Sequence, residues 1–255
     1  PKVDYKPNYL PWNWRGWWPY GTGALGDMAC HILDPVFRIL PIDYPTSVEC
    51  SVAGTWTFIL KENDHNPDWT PFSTNIHLNY PRKDGKGDIK VSWYDGGVMP
   101  EVPEELLPGE AFGNSDGGVM FIGSKGKLLA DCYGANPRLI PLKENALLNI
   151  PETIARVPDE DHYLQWVNAC IAGYGNAQTS SPFEYAGPFT ESILIGNVAI
   201  RSWMLRDNPT GRRTADKYNG RKKLLWDAPN MKVTNYDLAN QFVKREYRQG
   251  WDLTL

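Results

Sequence analysis

"GTGALGDMACHILD", Gly21 to Asp34, decides how the chain folds, because it holds two readings at once. Gly21, Gly23 and Gly26 spell G-x-G-x-x-G, the glycine pattern of a dinucleotide-binding turn. Asp27, His31 and Asp34 follow at helical spacing and offer an acid–base pair or a metal site. The dinucleotide reading needs a buried strand just before the first glycine and an acid about 20 residues beyond it. What precedes Gly21 is "NWRGWWPY" (13–20), with an arginine, a proline and an aromatic cluster. Asp43 falls at a tolerable distance but stands between two prolines rather than at a strand end. The β-α-β unit is missing, so the glycine match is a decoy. The glycines permit close backbone approach and positive φ, at a helix N-terminus whose free N–H groups favour electron-rich atoms.

The helix that follows carries the chemistry. Asp27 and His31 stand at i and i+4, which puts their Cβ atoms roughly 5–6 Å apart on one face. A carboxylate there can fix the imidazole tautomer and raise its basicity, as a general base requires. Asp34 stays near that face. Asp–His–Asp on one helix lacks the further ligands of a metal centre, so no metal site is expected. A helix-surface pair with no chemical role remains the other reading.

Working outward, Ala24, Met28, Ile32 and Leu33 recur near helical spacing, and Pro35 predicts an end or kink near Asp34. "SVECSVAGTWTFI" (47–59), "STNIHLNYP" (73–81) and "DIKVSWYDG" (88–96) read as strands, with a turn at "RKDGKG" (82–87). "GGVMFIGSKGKLLADC" (117–132) reads as a hairpin. The acidic, Pro/Gly-rich "PEVPEELLPGEAFGNSDGG" before it reads as a loop, either a solvated excursion or a flap. Helices are expected over 159–173 and, entered by a proline, over 187–205. Grouped strands followed by helices predict class α+β: a mostly antiparallel, open-faced sheet with helices packed on one face. With no repeat and no low-complexity linker, 1–255 reads as a single domain, with 1–20 an irregular Pro/Trp-rich lead-in.

Composition narrows the partners. Lys+Arg 26 against Asp+Glu 30, a formal charge of −4, gives no footprint for nucleic acid. No apolar run approaches the roughly 20 residues that span a bilayer, so no membrane partner is expected. The four cysteines form no C-x-x-C pair and read as buried free thiols. Eleven tryptophans and thirteen tyrosines suit carbohydrate faces, or else simply fill core and subunit contacts. Several Trp and Thr positions are expected on the uncovered sheet face, a patch costly to leave wet, which points to a homodimer or tetramer through that face.

At these residues a resemblance emerges. "NWRGWWPYGTGALGDMACHILD" resembles the start of the C-terminal domain of the glucose–fructose oxidoreductase / inositol dehydrogenase / rhizopine-catabolism (Gfo/Idh/MocA) family. Its members carry a glycine-rich turn and then D-x-G-x-H, matched here by Asp27 to His31 with Ala29 where glycine is usual. The likeness extends through "SVECS", "KVSWYDGG", "FIGSKGKLL", "HYLQWVNACIAG", "FEYAGPFTESILIGNVAIRS" and "NQFVKREYRQGW". The first segment and "WYDGG" are the most specific.

The resemblance implies the substrate and oligomerisation domain of an NAD(P)-dependent dehydrogenase acting on a sugar or cyclitol hydroxyl. The family's N-terminal Rossmann domain and its E-K-P lysine have no counterpart in these 255 residues. NAD or NADP is therefore expected in the full-length protein and none on this chain, which would be half a site and inactive alone. His31 would accept the hydroxyl proton, with Asp27 its orienter or a substrate ligand. Gly23 and Gly26 would lie near the cofactor. Arg15 and Trp17 would bind and stack on a small carbohydrate-like substrate, and Tyr94 and Asp95 would face a cleft at a strand end. His162 reads as a cap or surface residue, and His65 and His77 as loop and strand surface. Two other readings stay open: a non-catalytic carbohydrate-binding or oligomerisation module, and part of an NAD-dependent glycosidase.

Overall fold

The computed structural model describes residues 3–54, 56–57, 62–63, 67–141, 150–151, 153, 155–203, 205–207, 217–218, 222–245 and 247–251. The chain forms two compact units, Pro1–Val102 with Glu191–Leu255, and Pro103–Thr190.

The first unit is built on a five-stranded antiparallel sheet. Its strands are β1 (Ser47–Ala53), β2 (Ser73–Pro81), β3 (Asp88–Tyr94), β7 (Leu224–Asp227) and β8 (Lys232–Val233), in the order β8-β7-β1-β2-β3. Period-2 alternation sets its two faces. On β2, Thr74, Ile76, Leu78 and Tyr80 are buried while Asn75, His77 and Asn79 are half-buried. The register aligns Cys50, Ile76 and Trp93, and likewise Val48, Leu78 and Val91, into buried rows. Helix α1 (Gly23–Ile32) and the part of α4 (Phe183–Trp203) that lies in this unit pack on this face. A side chain at Gly196 of α4 would run into Leu25 of α1 and approach Ile76 of β2, so helix, helix and sheet meet there. Each buried Leu or Ile in that layer contributes about 1.5–3 kcal/mol. The Tyr80 phenol lies within it, held well above its usual pKa by burial, against the Ser192 side chain.

The α+β expectation therefore holds. The uncovered face differs from expectation in its chemistry. Glu49, Ser51, Asn75, His77, Asn79, Ser92 and Tyr94 share it, with His77 Nδ1 and Ser92 Oγ 2.8 Å apart. Trp93 and Thr74 sit on the covered side, because their register pairs them with Ile76 and Val52.

Helix boundaries also shift. The inner stripe of α1 is Leu25, Ala29 and Ile32, with Met28 half-exposed. Pro35 does not merely end α1; it opens α2 (Asp34–Ile39), at a position where a missing N–H costs no bond. Helix α4 starts at Phe183 and carries Pro188 inside it.

The second unit holds the 117–132 hairpin as β4 (Gly118–Gly123) and β5 (Gly126–Asp131), joined by β6 (Arg138–Ile140) in a three-stranded sheet. Its acidic loop is tied to this sheet: Arg138 donates to the Ala111 carbonyl at 2.7 Å and Lys127 pairs with Glu105 at 2.7 Å. Helix α3 (His162–Ala172) is capped by Asp161, whose Oδ1 accepts from the Leu164 N–H at 2.9 Å, and Gly173 follows its end.

Candidate active site

Three glycines shape the approach to α1. The lead-in forms a 3-10 turn, Pro11–Gly16, that folds back so closely that a Cβ on Gly21 would strike the backbone of Trp14 and Arg15. Gly23, at φ +71°, opens the helix against Thr70. The space a Gly26 side chain would take is filled by Thr22 and bordered by Asn197. Among the described residues no strand runs into Gly21; a 3-10 turn precedes it instead. Without a strand–turn–helix unit, the described residues do not form a dinucleotide-binding turn at the glycine motif.

What the tight turn achieves is a pairing. It returns Arg15 over the first exposed turn of α1, where its Nη2 lies 2.9 Å from Asp27 Oδ2. Both side chains stay substantially exposed, at 39% and 43%. An ion pair so exposed contributes about 0–1 kcal/mol, so a polar ligand can enter it at little cost. One turn along the same helix, His31 is half-buried in the last turn of α1, with Cys30 beside it. Leu25, Ala29 and Ile32 take the inner face, so the charged residues line the outer one. Partial desolvation and the nearby Asp27 raise the Cys30 thiol above its usual pKa, which keeps it protonated and unreactive. Its exposure, and that of Cys170, corrects the expectation of four buried thiols: Cys50 and Cys132 are buried, and none of the four is in a disulfide.

The other expected site residues lie elsewhere. Trp17 is 8% exposed and packs on Tyr9 at 4.8 Å and Trp69 at 5.8 Å, so its ring has no free face for stacking. Its neighbour Trp14, tilted over Tyr20 at 5.8 Å and 44% exposed, offers one instead. Nothing in a W-x-W-R-G-W-W run distinguishes the two. Tyr94 lies on the open sheet face, opposite the one α1 covers, with its ring edge toward His77 at 6.3 Å. Asp95 is consumed by the fold. Its carboxylate accepts from the Thr74 N–H, from Thr74 Oγ1 at 2.7 Å and from Trp93 Nε1 at 2.8 Å. The structure thus brings Arg15, Asp27 and His31 to one helix face and does not bring Tyr94 or Asp95 to them.

His162 opens α3, but Asp161 makes the cap. His65 lies outside the described residues. Asn197 is a residue the sequence did not flag: it is buried on α4 facing Gly26, with neither amide atom hydrogen-bonded. Among the described residues no three His, Cys, Asp or Glu side chains gather as a metal site, and no helix is long and apolar enough to cross a membrane.

A family model described as the oxidoreductase family C-terminal alpha/beta domain of Gfo/Idh/MocA matches residues 1–58, the segment that carries the lead-in, the glycines and α1. No curated protein matches the chain.

Proposed function

We propose, from a chain whose first 58 residues match the C-terminal domain of a Gfo/Idh/MocA oxidoreductase, that the outer face of α1 is the proton-transfer half of an NAD(P)-dependent active site. The substrate is a sugar or cyclitol hydroxyl. The observation that carries this reading is the Arg15–Asp27 pair at 2.9 Å, accessible and set one helical turn before His31.

His31 takes the O–H proton as the substrate carbon gives up its hydride. Asp27, already bound by Arg15, is suited to orient the imidazole or receive a substrate hydroxyl rather than to act as the base. Trp14 and Tyr20 present ring area beside Arg15 that fits the C–H face of a sugar. Bound nicotinamide supplies the hydride acceptor, held by polypeptide other than the Gly21–Gly26 turn. In this reading the polar open face of the sheet packs on a second copy through hydrogen bonds.

The test is His31→Asn in the full-length oxidoreductase, assayed with NAD and NADP against a panel of sugars and cyclitols. Turnover falls by about 100- to 10,000-fold with an unchanged circular dichroism spectrum. Unchanged turnover would leave a carbohydrate-binding or assembly module as the better account.

A further inference from the structure

Arg201, in the last turn of α4, has an unusual setting. Its guanidinium carbon lies 4.3 Å from the Phe242 ring centroid and 5.6 Å from that of Trp18. A second guanidinium reaches the same tryptophan, because Arg245 Nη2 donates to the Trp18 carbonyl at 3.3 Å. No carboxylate among the described residues pairs with either arginine. Both rings lie within cation–π reach of Arg201, and no hydrogen bond from its N–H groups is seen among the described residues.

A half-buried cation with a second positive charge nearby is costly unless something negative joins it. The C-terminal carbonyls of α4 supply roughly half a negative charge, and no carboxylate among the described residues adds to it at Arg201. Burial, and then the neighbouring Arg245, both push the Arg201 pKa below its usual value. That is the direction expected of a cation lacking its counter-ion, although an arginine stays protonated throughout.

We propose that Arg201 and Arg245, braced by Trp18 and Phe242, form a binding site for a phosphate group. A guanidinium held against aromatic rings, with its N–H groups unclaimed among the described residues, can offer its fork to tetrahedral oxygens. Two positive charges suit a dianion better than a single carboxylate. This site uses none of Arg15, Asp27 or His31 and does not depend on the dehydrogenase reading.

The test titrates the 255-residue chain with inorganic phosphate, at constant pH and ionic strength, following tryptophan fluorescence and Tm. Saturable binding is expected, with acetate much weaker. Because Arg245 is exposed, Arg245→Gln should fold normally and weaken phosphate binding about tenfold or more, as the loss of a charged hydrogen bond implies. Arg245→Lys, which keeps the charge and loses the fork, should fall between. Arg201→Gln should abolish binding where it folds. Tighter binding of glycerol 3-phosphate than of inorganic phosphate would assign the source to a phosphate ester, and equal binding to the free ion. Acetate binding as tight as phosphate, or an affinity unchanged in Arg245→Gln, would overturn the proposal.

Discussion

Replacing Asp95 with alanine removes the acceptor for two side chains and one backbone N–H at once. Hydrogen bonds to a charged group are worth about 1.5–3 kcal/mol each, and orphaned donors add their own penalty. We expect Asp95→Ala to lower stability by about 2–4 kcal/mol, read from the urea midpoint. An unchanged midpoint would show that water replaces the carboxylate. Sequence alone marked Asp95 as a cleft residue because it follows a strand at a Gly-Gly turn. Its partner Thr74 lies 21 residues away on the adjacent strand, so the role was invisible without the register. Cys30 was more legible than its apolar neighbours suggested, since three residues after Asp27 places it on the same outward side of the helix. The Arg15–Asp27 pair had no sequence signal, because it depends on how sharply the glycine turn folds back.

At the scale of elements, Gly26→Ala tests that turn. The added methyl would enter space held by Thr22, with Asn197 close behind, and overpacking of this kind costs about 1–3 kcal/mol. Tm should fall in proportion; a wild-type Tm would mean the first turn of α1 is loose. The strands at 47–53, 73–81 and 88–94 were readable because period-2 alternation survives wherever one face is buried. Helix ends were less readable. Pro35 looked like a terminator, yet a proline near a helix start is as easily accommodated as one beyond an end, and only the chain direction after Leu33 separates the two cases.

For the molecule as a whole, the class and the antiparallel sheet followed from the order of elements, while the chemistry of the open face did not. That face depends on strand phase: a one-residue change of register exchanges Trp93 and Thr74 for Tyr94 and Asn75. The missing strand before Gly21 has a consequence at the same scale. Calorimetry on the isolated 255-residue chain should show no micromolar binding of NAD(H), and a micromolar Kd would place a nucleotide site on residues that this account assigns to packing.

The central proposal, that Asp27 and His31 act as one proton-transfer unit, is tested most directly by a double-mutant cycle on kcat/KM in the full-length protein, assayed with NAD(P) and the sugar or cyclitol panel. Asp27→Asn and His31→Asn should each cost about 100-fold or more. The double variant should lose little beyond the worse single one, as groups acting in one step do. Two single variants with near-wild-type kcat/KM would contradict the account.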